Sequence, residues 1–400
     1  MYKKIYYLLK KYIFCSIIYR EIGEKMEENS IKTSQNKCEK KDNIVKNSFE
    51  MVDINNFTLE ELEKYIEELG EKKFHAKQIF KWIHKIGVTS FDDMSDISKS
   101  LREKLKERAY ILNMDIIEVQ TSKKDGTMKF LIKLRDNCAI ESVLMRYNYG
   151  NSLCVSTQVG CKMGCKFCAS TKEGFERSLK ASEIEGEIQT VQRYTNEKIS
   201  NVVYMGIGEP LDNYDNVVKS VRIINDSMGL NIGARHISLS TCGIVPNIYK
   251  LAEENIQCTL SISLHATTDE KRKEIMPIAN RYSIKELLDA CRFYISKTGR
   301  RISFEYALIY GKNDSYEDAM SLVKLLRGML AHVNLIPVNE IKNGLYKKAT
   351  EKSIQNFMNT INSCGIVTTV RRELGSDIDA ACGQLRKKYI EGTNYTLKKE

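Results

Sequence analysis

Three cysteines, Cys161, Cys165 and Cys168, stand in a C-x3-C-x2-C spacing near the end of the stretch from Cys154 to Cys168. Thiolates held this close can converge on one metal centre, and soft sulfur ligands suit zinc or an iron–sulfur cluster. The next cysteine along the chain is Cys242, so no fourth thiol is offered nearby. A structural zinc site closes its shell with four protein ligands. An ordinary ferredoxin cluster takes four cysteines. Three thiols leave one iron of a 4Fe–4S cluster open, and an open metal position is where a substrate binds. A zinc knuckle or a redox cysteine pair is the plainer alternative. Gly160 and Gly164 precede the first two of these cysteines. They favour a tight loop around a cluster, because glycine lets the backbone approach closely.

Such a loop needs a scaffold. Apolar, strand-like runs occur at 153–157, 201–206, 236–241, 258–264, 302–309 and 332–337. Charged, helix-like segments separate most of them, as at 181–194, 283–298 and 315–330. Six strands alternating with helices predict an α/β fold with a parallel sheet and right-handed crossovers. The count suits a partial (β/α)6 barrel, in which chemistry gathers at the C-terminal strand ends. The first strand delivers the cysteine loop, the second Gly206-Ile207-Gly208-Glu209-Pro210, and the third Ser240-Thr241. The fourth delivers Ser263-Leu264-His265 and the sixth Asn339. Each is weak alone, since a Gly-x-Gly is usually a turn and a lone histidine usually structural. Together they predict a pocket for a ligand with amine, carboxylate, ribose and adenine groups. A last strand at 365–371 leads into a loop from Gly375 to Gln384 that carries Cys382.

Ahead of the barrel, Thr58 and Glu61 form a T-x-x-E capping box. Leu62, Ile66 and Leu69 then share one helical face that Gly70 ends. A second helix carries Ala76, Ile79, Phe80 and Ile83, and a third Ile97, Leu101 and Leu105. Lys72, Lys73, Lys77, Lys81 and Lys85 crowd the middle helix. They are either a solvated face or phosphate contacts to nucleic acid. Met128–Leu134 and Ala139–Met145 read as strands around an Arg135-Asp136-Asn137 turn. The chain thus divides into a disordered or non-conforming extension at 1–50, a helical accessory domain at 51–112 that is the candidate nucleic-acid-binding part, and a short β extension at 113–150. The barrel follows at 151–385, and then a basic tail at 386–400. Met26 and Met51 are candidate starts. The apolar run at 5–18 is interrupted by Lys10 and Lys11 and is too short to span a bilayer.

A net charge of +10 is compatible with a polyanionic partner. Twelve cysteines in 400 residues, three of them clustered, do not make a secreted disulfide framework. They suit a reducing cytoplasm.

CVSTQVGCKMGCKFC, VVYMGIGEPLDN, LSTCGIVP, LSISLHA, MPIANRY, LIPVN and DIDAACGQL, in this order over about residues 55–385, resemble the RlmN/Cfr family of radical S-adenosylmethionine (SAM) RNA methyltransferases. The resemblance implies a 4Fe–4S cluster on Cys161, Cys165 and Cys168, with SAM on its open iron. It implies SAM contacts from Gly208, Glu209, Ser240, Ser263, Leu264, His265 and Asn339. Cys382 maps to a methyl-carrying cysteine and Cys154 to a resolving cysteine that removes the substrate proton and closes a disulfide. Glu141 maps to a proton acceptor. The implied substrates are the adenosines at position 2503 of 23S rRNA and position 37 of tRNA, with two SAM consumed per methyl. Gly208-Glu209-Pro210-Leu211 favours the branch that methylates C2 over the branch that methylates C8. The implied setting is a cytoplasmic monomer with a flavodoxin- or ferredoxin-type electron donor and no membrane. An iron–sulfur or zinc RNA-binding protein without catalysis is the alternative of another class.

Overall fold

A computed structural model describes residues 51–172, 174–338 and 346–378. Thr58 starts α1 (Leu59–Glu68): its hydroxyl accepts from the Glu61 N–H, and the Glu61 carboxylate accepts from the Thr58 N–H. Such a cap contributes about 1 kcal/mol. Gly70, at φ +76°, turns the chain away after the helix. Next come α2 (Phe74–Lys81), which runs into a wider turn at Trp82–Ile86, and α3 (Lys99–Arg108). Ile97 lies just ahead of α3 rather than on it. Leu62, Ile66, Ile79, Phe80, Leu101 and Leu105 are fully buried in a core of their own, which Ala181 and Ile223 join from two later helices. The paired two-residue strands β1 (Val52–Asp53) and β2 (Ala109–Tyr110) tie the ends of this region together.

Ten strands then make one sheet. Its first part is antiparallel: β3 (Asp115–Thr121), β4 (Met128–Lys133) and β5 (Ala139–Tyr147) lead into β6 (Gly150–Cys154). A separate pair, β7 (Gln158–Gly160) and β8 (Phe175–Ser178), brackets the cysteine loop. From β6 onward the big sheet is parallel. It runs through β9 (Ile199–Tyr204), β10 (Ile237–Thr241), β11 (Thr259–Ser263), β12 (Ile302–Leu308), β13 (Ala331–Pro337) and β14 (Thr368–Val370). The crossovers are built by α4 (Ala181–Thr195), α5 (Tyr214–Asn225), α6 (Val245–Glu253), α7 (Asp269–Ile275), α8 (Ile284–Thr298), α9 (Tyr316–Leu326) and α10 (Glu351–Ser363). This is a partial α/β barrel with an antiparallel extension and a small helical region. The first barrel strand differs from its expected span of 153–157. It ends at Cys154 because the Ser156 N–H turns to the buried Glu187 carboxylate, at 3.1 and 3.0 Å from its two oxygens.

Alternation along the strands gives the sheet two faces. Phe130, Ile132, Ile140, Leu144 and Leu153 face Ile184, Ile188 and Val191 of α4 in the main core. Lys129, Glu141, Val143, Met145 and Cys154 occupy the opposite, inner face. After β14 the chain crosses from one sheet edge to the other. The Arg371 N–H donates to Leu335 O at 2.8 Å, and Leu374 packs against Val143, Met145 and Cys154. The far end is held at the β3–β4 turn. There the Gly375 N–H donates to Asp125 Oδ2 at 2.8 Å, and Asp377 accepts from Ser122 Oγ at 2.6 Å and the Lys123 N–H at 2.8 Å. Residues 371–378 are thus a strap across the open side of the barrel. Among the described residues no helix is long and apolar enough to cross a membrane. The readings of residues 1–50 and 386–400 fall outside the described residues.

Candidate active site

The cysteine loop is shaped by two glycines. Gly160 has φ +78°, and a Cβ there would stand 1.9 Å from the Gly174 carbonyl oxygen, so any other residue would force the loop apart. Gly164 has φ +71°. The loop is then fastened by backbone bonds: Cys161 N–H to Gly174 O at 3.0 Å, Lys166 N–H to Ile275 O at 2.9 Å, and Cys168 N–H to Cys165 O at 3.1 Å. Cys161 and Cys165 are buried and Cys168 is half-buried. Burial pushes the Cys161 thiol up to about 11, with the neighbouring Cys168 adding to the rise. Burial, then Cys168 and Cys161, raise Cys165 as well. Cys161 and Cys165 are thus held as neutral thiols until a metal centre replaces their protons.

All three line a cavity of about 300 Å³ at the C-terminal ends of the parallel strands. Gly208, Glu209, Ser240, Ser263 and His265 line it too. A Cβ on Gly206 would come within 2.5 Å of Val155 O, and one on Gly208 within 2.6 Å of the Gln158 side chain. These glycines let the β9 end loop lie directly on the residues that follow β6. Glu209 is buried, and desolvation raises its carboxyl. Its two oxygens accept from the Leu211 N–H at 3.0 Å and the Cys242 N–H at 2.7 Å, which fixes its orientation. His265 adopts φ +57°. Its Nδ1 accepts from the Ala307 N–H at 2.9 Å, and its ring meets the edge of Phe167 at 4.9 Å. Burial, then the Arg272 charge, lower it to about 3, so it is neutral across the physiological range.

Leu264 is placed otherwise. Its side chain is fully buried in the main core, while its N–H donates to Glu305 O and its carbonyl accepts from Arg272. β11 ends at Ser263, and the left-handed turn at His265 brings that ring back to the cavity while Leu264 goes into the core. Asn339 lies outside the described residues. The cavity also holds residues that motif reading did not single out, notably Glu305, Met205 and Arg371. Glu305 accepts from Asn334 Nδ2 at 2.7 Å and Ser303 Oγ at 3.1 Å. A lone carboxylate in the apolar run Ile302–Leu308 was the available signal.

Cys154 ends β6, buried on the inner face opposite Val143. Glu141 shares that face two positions before Val143, and its carboxylate pairs with the buried Lys129 ammonium at 2.9 Å. Cys382 lies outside the described residues, and Leu374, eight positions before it, packs beside Cys154. The site so far has three thiols, a largely apolar cavity edged by Glu209, Ser240, Ser263, His265 and Glu305, and a further cysteine on the inner face. Among the described residues no three His, Cys, Asp or Glu groups converge tightly enough for a single metal ion. Three thiols along one cavity wall could each take a separate iron of a cluster.

Comparison with known proteins agrees. The ribosomal RNA large subunit methyltransferase N-terminal domain model matches residues 52–111, and the radical SAM superfamily model matches residues 155–323. A Clostridium perfringens protein named as a probable dual-specificity RNA methyltransferase RlmN is 58% identical over 347 residues, 87% of this chain and 100% of its own. A Clostridium beijerinckii protein of the same name is 60% identical over 334 residues, 84% and 94% of the two chains. The chain belongs to the RlmN family. The crystal structure of a radical SAM methyltransferase from Sphaerobacter thermophilus matches it with a TM-score of 0.79 at 40% identity, over 83% of this chain and 98% of that one. RlmN membership brings a 4Fe–4S cluster and SAM as cofactors, and the cavity has the thiols and polar edges to take them.

Proposed function

We infer that this chain is a radical SAM RNA methyltransferase that places a methyl group on C2 of an adenosine in 23S rRNA and in tRNA. One observation carries the reading. The three cluster cysteines share a cavity with Glu209, Ser240, Ser263 and His265, while the strap that leads to Cys382 packs beside Cys154.

In this reading Cys161, Cys165 and Cys168 hold the cluster, which when bound supplies the electron that splits the SAM sulfonium. Glu209, held by two backbone N–H groups, accepts from the SAM ammonium. Gly208 brings its loop onto Gln158 and so sets its own backbone in the cavity wall beside the ligand, and Ser240, Ser263, His265 and Asn339 edge its ribose and base. Cys382 receives a methyl group from a first SAM by displacement and keeps it as a thioether. C2 of adenine is poorly nucleophilic, so the carbon must join it by radical addition. A second SAM would supply the radical that takes a hydrogen atom from the Cys382 S-methyl group, so that its carbon can add to C2. The adduct would return one electron to the cluster as Cys154 takes the C2 proton and passes it to Glu141. The Cys154 thiolate then attacks the Cys382 sulfur, the S–CH2 bond to the base breaks as the S–S bond forms, and the freed carbon takes a proton to become the methyl group. Both cysteines act as thiolates. Glu141 serves as the proton acceptor on the same face. Exposed lysines of the accessory helices meet RNA phosphates. A flavodoxin- or ferredoxin-type donor supplies the electron, and the enzyme works as a cytoplasmic monomer.

The test is mass spectrometry of nucleosides from unmodified 23S rRNA and tRNA treated with the reconstituted, reduced enzyme. The expected product is 2-methyladenosine. A methyl at C8 would move the chain to the other branch of the wider family, and no methylated nucleoside would overturn the reading.

A further inference from the structure

Arg272, on α7, is fully buried, and among the described residues no carboxylate lies within ion-pair distance of it. Its guanidinium meets backbone carbonyls instead. Nη2 donates to Cys242 O at 2.6 Å and Ser263 O at 3.1 Å, and Nε donates to Leu264 O at 3.2 Å. Nη1 has no hydrogen-bond partner among the described residues. Removing a charge from water without a counter-charge costs several kcal/mol, and carbonyl dipoles offset only part of that.

The place of this cation suggests its use. The carbonyls it meets follow β10 and close β11, next to Ser240, Cys242, Ser263 and His265 in the cavity wall. Arg272 lies one turn before Ile275, whose carbonyl holds the Lys166 N–H of the cysteine loop. Ile275 and Met276 pack with Cys165 and Cys242 in one apolar cluster. The guanidinium therefore stands behind the thiol wall in a water-poor medium. Three thiolates around a 4Fe–4S core make a net anionic centre, and reduction makes it more anionic by one charge.

We propose that Arg272 is the buried counter-charge of the iron–sulfur centre and raises its reduction potential. The proposal rests on the cluster assignment above. Reduction adds one electron from a one-electron donor, and a fixed cation nearby favours the more anionic product. Low local dielectric keeps that effect strong, and charge near a cluster is one of the factors that set its potential. Arginine suits the position because it stays protonated when buried and its fork reaches several acceptors at once. It also steadies the SAM side of the cavity, because Cys242 gives its carbonyl to Arg272 and its N–H to Glu209.

The test is a potentiometric titration, followed by electron paramagnetic resonance, of the full chain reconstituted anaerobically, with iron and sulfide quantified. Arg272→Gln should shift the midpoint to more negative potential. It should reduce incompletely with dithionite and fully with the stronger reductant titanium(III) citrate. Arg272→Lys should match the wild type at low pH and fall toward the Gln value as pH rises, because a buried ammonium gives up its proton. The titratable groups around it are Cys165, Cys242, Cys291, Asp269 and His265. They are common to all variants, so the comparison with wild type removes their effect. A fully loaded Arg272→Gln protein with the wild-type potential would overturn the proposal. If that variant fails to load, an Arg272→Lys potential that tracks wild type at every pH would do so. Failure of the wild type itself to build a cluster would count against the cluster assignment.

Discussion

The strands of the large sheet carry two chemically opposed faces. Outward, Phe130, Ile132, Ile140, Leu144 and Leu153 meet the helices in an apolar core. Inward, one residue away along the same strands, stand Lys129, Glu141 and Cys154, and the cavity takes Glu305 from β12. Burial is nearly complete on both sides, so exposure does not tell them apart. The difference is in what each side chain requires. The outer face asks mainly for volume and apolarity, with Ser142, which donates to the Glu187 carboxylate of α4, as a polar exception. The inner face holds charge and sulfur that are stable there because each group is given a partner, as Lys129 is by Glu141. A one-residue shift of register would exchange the two sets, so folding and chemistry are specified by the same alternation.

Four perturbations sharpen this contrast. The largest effect is on the inner side: Cys161→Ala, Cys165→Ala or Cys168→Ala should abolish the cluster and SAM cleavage while the melting transition of the apo-protein stays near wild type. Iron analysis and 5'-deoxyadenosine assay check it, and a triple variant that still cleaves SAM would remove these residues from the site. On the outer side Phe130→Ala should cost about 3–5 kcal/mol of stability. Denaturant unfolding would show that loss, with product distribution unchanged at temperatures where the variant is folded.

Smaller effects belong to the surface. Lys77, Lys81 and Lys85 are exposed on the accessory helices, whereas Lys73 lies 3.7 Å from Glu63 and 3.9 Å from Glu67 and is partly neutralised. Replacing Lys77, Lys81 and Lys85 with Glu should weaken RNA binding and flatten its salt dependence by roughly 0.7–0.9 in slope per lost phosphate contact. An unchanged slope would leave them a solvated face. The least effect is on the strap anchor. Burial alone would raise Asp125, but hydrogen bonds from Gly375, Thr127 and Ser122 hold it at about 2. A carboxylate depressed on folding stabilises above its unfolded value near 3.8 and loses that contribution as pH falls through about 2. Amide protection at residues 374–378, taken relative to the intrinsic exchange rate at each pH, should therefore fall as the pH drops from about 4 to about 2. Asp125→Asn should blunt the change.

Much of this was legible in the sequence because it is local or periodic. The cysteine spacing, the Thr58–Glu61 cap and five of the six barrel strands within a residue or two are features of short windows. The first barrel strand was misplaced because Ser156 answers to Glu187, a partner far along the chain. Leu264 shares a motif with Ser263 and His265, but its side chain enters the main core, and the left-handed turn at His265 that returns the next ring to the cavity has no signal in a short window. The strap at 371–378 has no periodicity to announce it; it exists through single bonds to Ser122, Lys123 and Asp125. Lys129 would pass for a solvent lysine on an edge strand until Glu141 is seen beside it. Arg272 sits among Asp269, Lys271 and Lys273 and reads as surface charge, since only the fold shows that it points inward. The C-terminal loop with Cys382 was found by motif alone.

In the proposed mechanism Cys154 and Cys382 act in sequence on one base. It is tested most directly by mass spectrometry of Cys154→Ala after reaction with RNA. The expected result is protein joined covalently to RNA through Cys382, seen as a mass increase that nuclease digestion trims to one modified adenosine and that Cys382→Ala abolishes. Normal turnover by Cys154→Ala, or RNA methylation by Cys382→Ala, would contradict the account.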